Sequence, residues 1–119
     1  MALRIALIGC GAMGKRWAAS IVAYEGTKLV AIIDNDRTRA EEEARNYNSK
    51  AFQTIEEMRK ELTPDACVIA TPHQFLAPLA KEALGAGLHV LSEKPGARTP
   101  GEMAEVVSLA QEKNLRFMI

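Results

Sequence analysis

Cysteine is scarce in this chain of 119 residues, which carries only Cys10 and Cys67. Neither shows CxxC spacing or a histidine partner, which excludes a disulfide framework and a zinc site and points to a reducing compartment. Net charge is missing too. Fifteen basic and fifteen acidic side chains cancel to zero, so the electrostatic footprint of a nucleic-acid binder or a polybasic membrane protein is absent. No apolar run can span a bilayer: the first, Ala2 to Ile8, is interrupted by Arg4 and ends at glycine, too short also for a signal-peptide core. Repeats, low-complexity tracts and linkers are lacking as well. These absences leave one globular domain, expected in the cytoplasm, with neither nucleic acid nor membrane as partner and no metal. A content of 48% hydrophobic and 25% charged residues agrees, and a chain of this length buries a core without staples.

What is present alternates. Short β-branched runs at Leu3 to Ile8, Leu29 to Ile33, Cys67 to Ala70, Leu88 to Leu91 and Leu115 to Ile119 predict strands buried on both faces. A weaker one around Ala51 and Phe52 makes six. Between them, helical spacing links Met13, Trp17, Ile21 and Tyr24; Ala40, Ala44 and Tyr47; Leu76, Leu79, Ala80, Ala83 and Leu84; and Met103, Val106, Val107 and Ala110. Thr54 to Glu57 and Thr99 to Glu102 read as capping boxes, the second with Pro100 at the first helical position. Gly26 and Gly85 are placed to end helices. Met13 and Trp17 are expected in the core. Glu41, Glu42 and Glu43 before Arg45, and Glu56 before Lys60, read as solvated ion-pair faces. Alternation of this kind implies crossovers onto a parallel sheet.

The first strand runs into Gly9, Cys10, Gly11, Ala12, Met13, Gly14, a GxGxxG that opens a helix. Gly9 permits a tight turn, Gly11 lets backbone approach a pyrophosphate and Gly14 allows close packing of helix on strand. Unpaired N–H groups from Gly11 to Met13 then face the anion. Asp34 closes the second strand twenty residues beyond Gly14, where a carboxylate accepts from an adenosine ribose; the competing role is a helix cap. Asn35 and Arg37 follow at the same end. Arg37 and Arg39 would suit a 2′-phosphate, but Asp34 would repel it, so NAD is expected over NADP. Lys15 and Arg16 are either solvated or drawn to a nearby anion. The expected fold is therefore α/β of Rossmann type, a doubly wound, mostly parallel six-stranded sheet with helices on both faces.

Two further strand ends point at the same place. Thr71, Pro72 and His73 follow the fourth strand, and Glu93, Lys94 and Pro95 the fifth, and in an open α/β sheet the ligand crevice lies beyond the carboxyl ends. His73 is equally well a plain helix start. Lys94, held between a buried strand and a proline, suits a proton relay or carbonyl polariser, and a nearby nicotinamide or partial burial would lower its pKa.

Gly9 to Gly14, Asp34, PDACVIATP from Pro64 to Pro72 and ALGAGLHVLSEKP from Ala83 to Pro95 together resemble the amino-terminal domain of one family. It is that of glucose-fructose oxidoreductase, inositol dehydrogenase and the rhizopine-catabolism dehydrogenase, abbreviated Gfo/Idh/MocA. The resemblance covers nearly the whole chain, and its EKP tripeptide is more specific than the glycine motif. It implies an NAD(P)-dependent enzyme acting on a hydroxyl of a sugar or cyclitol, with Lys94 beside nicotinamide and substrate. The chain departs from the pattern at Leu76, where many members carry histidine, and at Leu88, where lysine is frequent. Family members also carry a second α/β domain with most substrate contacts and the general base. The expectation is accordingly a dinucleotide-binding domain at 1–119 excised from a longer dehydrogenase, with the carboxy-terminal substrate domain absent. Such a piece would bind cofactor without turnover and tend to self-associate as a homo-oligomer through apolar surface. The rival readings are a free-standing NAD-sensing regulatory module, which has no use for an aimed lysine, and a vestigial scaffold, against which the intact glycines and Asp34 count.

Overall fold

A computed structural model describes residues 1–119. In chain order the elements are β1 (Leu3–Ile8), α1 (Ala12–Ala23), β2 (Thr27–Ile33), α2 (Arg37–Tyr47), β3 (Lys50–Phe52), α3 (Ile55–Arg59), β4 (Ala66–Ile69), α4 (His73–Gly85), β5 (His89–Ser92), α5 (Pro100–Lys113) and β6 (Phe117–Met118). The strands form one six-stranded sheet in the order β3-β2-β1-β4-β5-β6. Every pairing is parallel. This is the doubly wound arrangement expected from the alternation.

Period-two alternation in the strands sends side chains to two separate cores. Ile5 and Leu7 of β1 join Leu29, Ile32 and Val68 under Ala18 and Ile21 of α1 and Ala44 of α2. Ala6 and Ile8 face the other way, onto Ile55 and Met58 of α3, Leu76, Ala80 and Leu84 of α4 and Val106 of α5. Leu76 and Leu88 are both buried in this second core, so the two departures from the family pattern are packing residues here. No helix is long and apolar enough to cross a membrane.

Several local expectations are corrected. Gly85 is the last residue of α4 as expected, with the left-handed conformation falling on Gly87, whereas α1 ends at Ala23 before Gly26 is reached; α2 and α5 end on Asn48 and Asn114 with positive φ. The capping boxes are half-formed: Thr54 and Thr99 each accept the N–H three residues on. Glu57 turns instead to Arg37, and Glu102 accepts from the Arg98 N–H. Glu56 and Lys60 form no ion pair; the pairs present are Arg37–Glu57, Lys50–Glu61, Lys81–Glu105 and Arg98–Glu102. Glu43 is buried, not solvated. Met13 is exposed, because the first turn of α1 overhangs the sheet's end, and Trp17 is half-buried.

Candidate functional site

The glycine turn is shaped by close contacts. Gly9 has φ +108°, its N–H donates to the Ile33 carbonyl at 2.8 Å, and a Cβ there would stand 2.3 Å from the Ala70 carbonyl oxygen. Gly14 lies so tightly on this turn that a Cβ would stand 1.9 Å from the Gly9 oxygen. Gly11 differs. Its φ is an ordinary −74°, and a Cβ would meet nothing nearer than the Arg39 guanidinium at 3.8 Å. Gly11 is the N-cap of α1 and supplies no side-chain cap, so the N–H groups of Ala12, Met13 and Gly14 have no intrahelical acceptor.

Asp34 closes β2 at 9% exposure. Its Oδ2 accepts the Cys10 N–H and its Oδ1 the Asp36 N–H, both at 2.9 Å. The cap of α2 is Asp36, which accepts from Thr38 and Arg39, so the capping alternative for Asp34 is set aside. Burial together with Asp34 and Glu43 pushes the Cys10 thiol up to about 12, and burial alone does the same for Cys67. Both are free thiols in the core, held protonated and therefore poor nucleophiles.

A crevice of about 850 Å³ lies over the carboxyl ends of the strands. It brings together Gly9 to Met13, Asp34, Asn35, Thr71, Pro72, His73, Glu93 and Lys94. Three residues expected at the site do not line it. Gly14 acts from beneath by letting α1 approach. Pro95 follows Lys94 through a cis peptide bond and faces elsewhere. Arg37 is held by Glu57 at 3.1 Å and by Gln53 at 2.9 Å; Arg39, two positions on, reaches the crevice in its place.

Sequence reasoning missed Gln53, Thr54 and Ile55 at the start of α3, and Phe75, Pro78, Leu79 and Glu82 along α4. Their only signal was position after a strand end, and β3 is three residues long. Gln53 is set by donating to the Asn35 carbonyl at 3.0 Å while accepting from Arg37. Behind the glycine turn, a smaller cavity of about 90 Å³ is lined by Cys10, Lys15, Arg39, Glu42, Glu43 and Asn46. Glu43 Oε1 accepts from Asn46 at 3.1 Å, and its buried Oε2 has no partner.

The β5 end is built around Glu93. Its N–H donates to the Ile69 carbonyl at 2.9 Å, and its carbonyl accepts the Gly96 N–H at 3.1 Å. Its Oε2 accepts the Trp17 indole N–H at 2.6 Å. Lys94, next along, is exposed and belongs to none of the ion pairs. Its neighbour Glu93 is held by hydrogen bonds while its own ammonium is free.

The site suits a dinucleotide on the grounds of its own geometry. An open helix start at Gly11 would be filled by any larger residue, a nearly buried carboxylate lies at one end, and a free lysine lies at the other. Known proteins agree. The pattern of the oxidoreductase family with an NAD-binding Rossmann fold matches residues 3–119. Inositol 2-dehydrogenase of Corynebacterium glutamicum is 37% identical over 112 residues, covering 92% of this chain and 33% of the relative. UDP-N-acetylglucosamine 3-dehydrogenase of Acidithiobacillus ferrooxidans is 31% identical, over 98% of this chain and 36% of the relative. Among solved structures, the WlbA dehydrogenase of Bordetella pertussis, in complex with NADH and UDP-GlcNAcA, superposes with a TM-score of 0.93 at 28% identity. That match covers 98% of this chain and 36% of WlbA. The chain thus spans about a third of the length of these relatives. On both pattern and architecture it belongs to the Gfo/Idh/MocA oxidoreductase family, whose NAD-binding Rossmann fold it forms.

Proposed function

We propose that residues 1–119 hold NAD in a dehydrogenase that oxidises a hydroxyl of a sugar or cyclitol, or reduces the matching carbonyl, in the cytoplasm. Most substrate contacts and the general base come from residues outside 1–119. The observation that carries this reading is that one crevice gathers the open first turn of α1, Asp34 and Lys94.

The N–H groups of Ala12 and Met13 bind the pyrophosphate, which Gly11 admits by having no side chain. Each Asp34 oxygen spends one acceptor position on a backbone N–H, which leaves one apiece for the two ribose hydroxyls. The same negative charge disfavours a 2′-phosphate and makes NAD the preferred form, with Arg39 the group that softens the preference. Asn35 and Gln53 flank the ribose end, and Thr71, Pro72 and His73 border the path toward Lys94. When bound, nicotinamide supplies a hydride acceptor or donor. Lys94 donates a hydrogen bond to the substrate oxygen, stabilises negative charge developing there and passes on its proton. Glu93 holds the turn that presents Lys94. A sensing module would have no use for such a lysine, and the relatives named above are dehydrogenases.

Gly11→Val tests the assignment cleanly, since its backbone is ordinary and its surroundings open. Calorimetric titration is expected to show NADH affinity falling by about a hundredfold with the urea midpoint unchanged. Unchanged affinity would remove the pyrophosphate from this turn.

A further inference from the structure

We infer that Trp17 is a positioning residue for Lys94, acting through Glu93, an inference that rests on the role given to Lys94 above. Trp17 lies on α1, the helix whose start faces the crevice, and its N–H crosses 76 positions of sequence to reach Glu93 Oε2 at 2.6 Å. The indole ring is half-buried against the core that holds Ile5, Leu7 and Ile21, so the donor is not a swinging surface group.

Glu93 is tethered by four hydrogen bonds, one of them the Ser92 hydroxyl donating to its carbonyl at 2.9 Å from the preceding residue. Its N–H is bound to Ile69 and its carbonyl to Gly96. Those backbone bonds, and the Ser92 hydroxyl, all run to β4, β5 or the turn itself and none reaches α1. The side-chain bond to Trp17 is the one that fastens the turn to a different layer of the fold. Lys94 has no bond of its own to hold it, so its placement relative to α1 is inherited from its neighbour. The bond therefore spans the crevice's two working ends, linking the helix assigned to the pyrophosphate with the turn assigned to the reacting centre.

The test uses residues 1–119. Trp17→Phe keeps an aromatic ring on α1 and removes the donor. Trp17→His restores a donor in place, because both five-membered rings carry nitrogen two bonds from Cγ. Hydrogen exchange at the Gly96 N–H reads how firmly the turn is closed. Calorimetry with NADH and with ADP-ribose, which lacks nicotinamide, reads the two ends separately. In Trp17→Phe, Gly96 exchange is expected to rise about tenfold and NADH to weaken about tenfold, with ADP-ribose unchanged. Trp17→His recovers most of both. Glu93→Gln, which keeps an acceptor but loses the charge, gives a smaller change of the same kind and stands in if the phenylalanine variant does not fold. Because Trp17 is the only tryptophan, its single indole N–H resonance identifies the bond and is expected to move in Glu93→Gln. Unchanged Gly96 exchange in both Trp17→Phe and Glu93→Gln would overturn the inference. So would equal losses for NADH and ADP-ribose, which would make the bond a general support of α1. If the unmodified chain bound neither nucleotide, the cofactor reading would fall alone, since Gly96 exchange needs no ligand and still decides what Trp17 holds.

Discussion

On the crevice wall made by β1, α1 and the end of β2, backbone meets backbone. Methyl groups added at Gly9 or Gly14 would stand 2.3 and 1.9 Å from carbonyl oxygens, and the one carboxylate present is engaged by two backbone N–H groups. On the opposite wall, at the ends of β4 and β5, His73 and Lys94 project into solvent, and side-chain bonds from Ser92 and Trp17 to Glu93 steady the turn. The first wall is specified by shape and tolerates almost no added atom. The second is specified by chemistry, and its side chains can change without disturbing the sheet. Holding a cofactor and reacting beside it are thus assigned to regions with very different tolerance.

Gly14→Ala puts the contrast to its harshest test. The added methyl has only backbone to push against, so urea unfolding is expected to show a loss of about 4 kcal/mol or outright failure to fold. A soluble variant of normal stability would mean that α1 can lift off the turn, and the first wall would lose its rigidity. Asp34→Ala comes next. It leaves the buried Cys10 N–H without an acceptor, at a cost of about 1–3 kcal/mol, and is expected to weaken NAD by about tenfold while weakening NADP less. Equal losses for the two cofactors would reduce Asp34 to a strut for the glycine turn.

The two buried thiols, Cys10 at the glycine turn and Cys67 on β4, give a smaller, pH-dependent effect. Cys10 and Cys67 are raised from 9.0 to about 12 in the fold. Below pH 9 both states are protonated and the thiols leave stability unchanged. Between 9 and 12 the unfolded chain loses protons that the folded one keeps, so stability falls, by about 1 kcal/mol per thiol at pH 10. Replacing both by alanine should flatten that part of the urea-midpoint profile, and an unaltered slope would show that water reaches them. Lys94→Ala sharpens the comparison from the other side with the smallest effect. Stability is expected within about 0.5 kcal/mol of the parent, and ADP-ribose affinity unchanged by calorimetry.

Much of this was legible from residue pattern alone, and what was not has local causes. Strand runs, the GxGxxG turn, Asp34, Thr71 to His73 and Glu93 to Lys94 were readable because each sits where a buried strand ends, a position that hydrophobic runs mark sharply. Arg37 and Arg39 could not be separated. They stand two apart on the first turn of α2, where they point in nearly opposite directions, and Gln53 and Glu57 in another segment decide which is captured. Glu43 hid inside an acidic run whose neighbours are solvated, and only the placement of α2 against Cys10 buries it. Met13 fits the apolar stripe of α1 but precedes the point where the helix meets the sheet. The bond from Trp17 to Glu93 joins segments with no shared periodicity, so no local pattern could announce it.

The strand order carries a consequence for how the chain assembles. β1 sits in the middle of the sheet, with Ile5 paired to nearby Leu29 on one side and to distant Ala66 on the other. The first pairing closes a short loop and the second a much longer one, which costs more chain entropy and lies on the slower side of assembly. The crevice straddles the seam between them. A chain that has completed only β1, α1 and β2 owns the glycine turn but has no opposite wall, and offers a nucleotide half a site. Ligand held across the seam stabilises the finished sheet and nothing that precedes it, so it slows unfolding and leaves the rate of folding as it was.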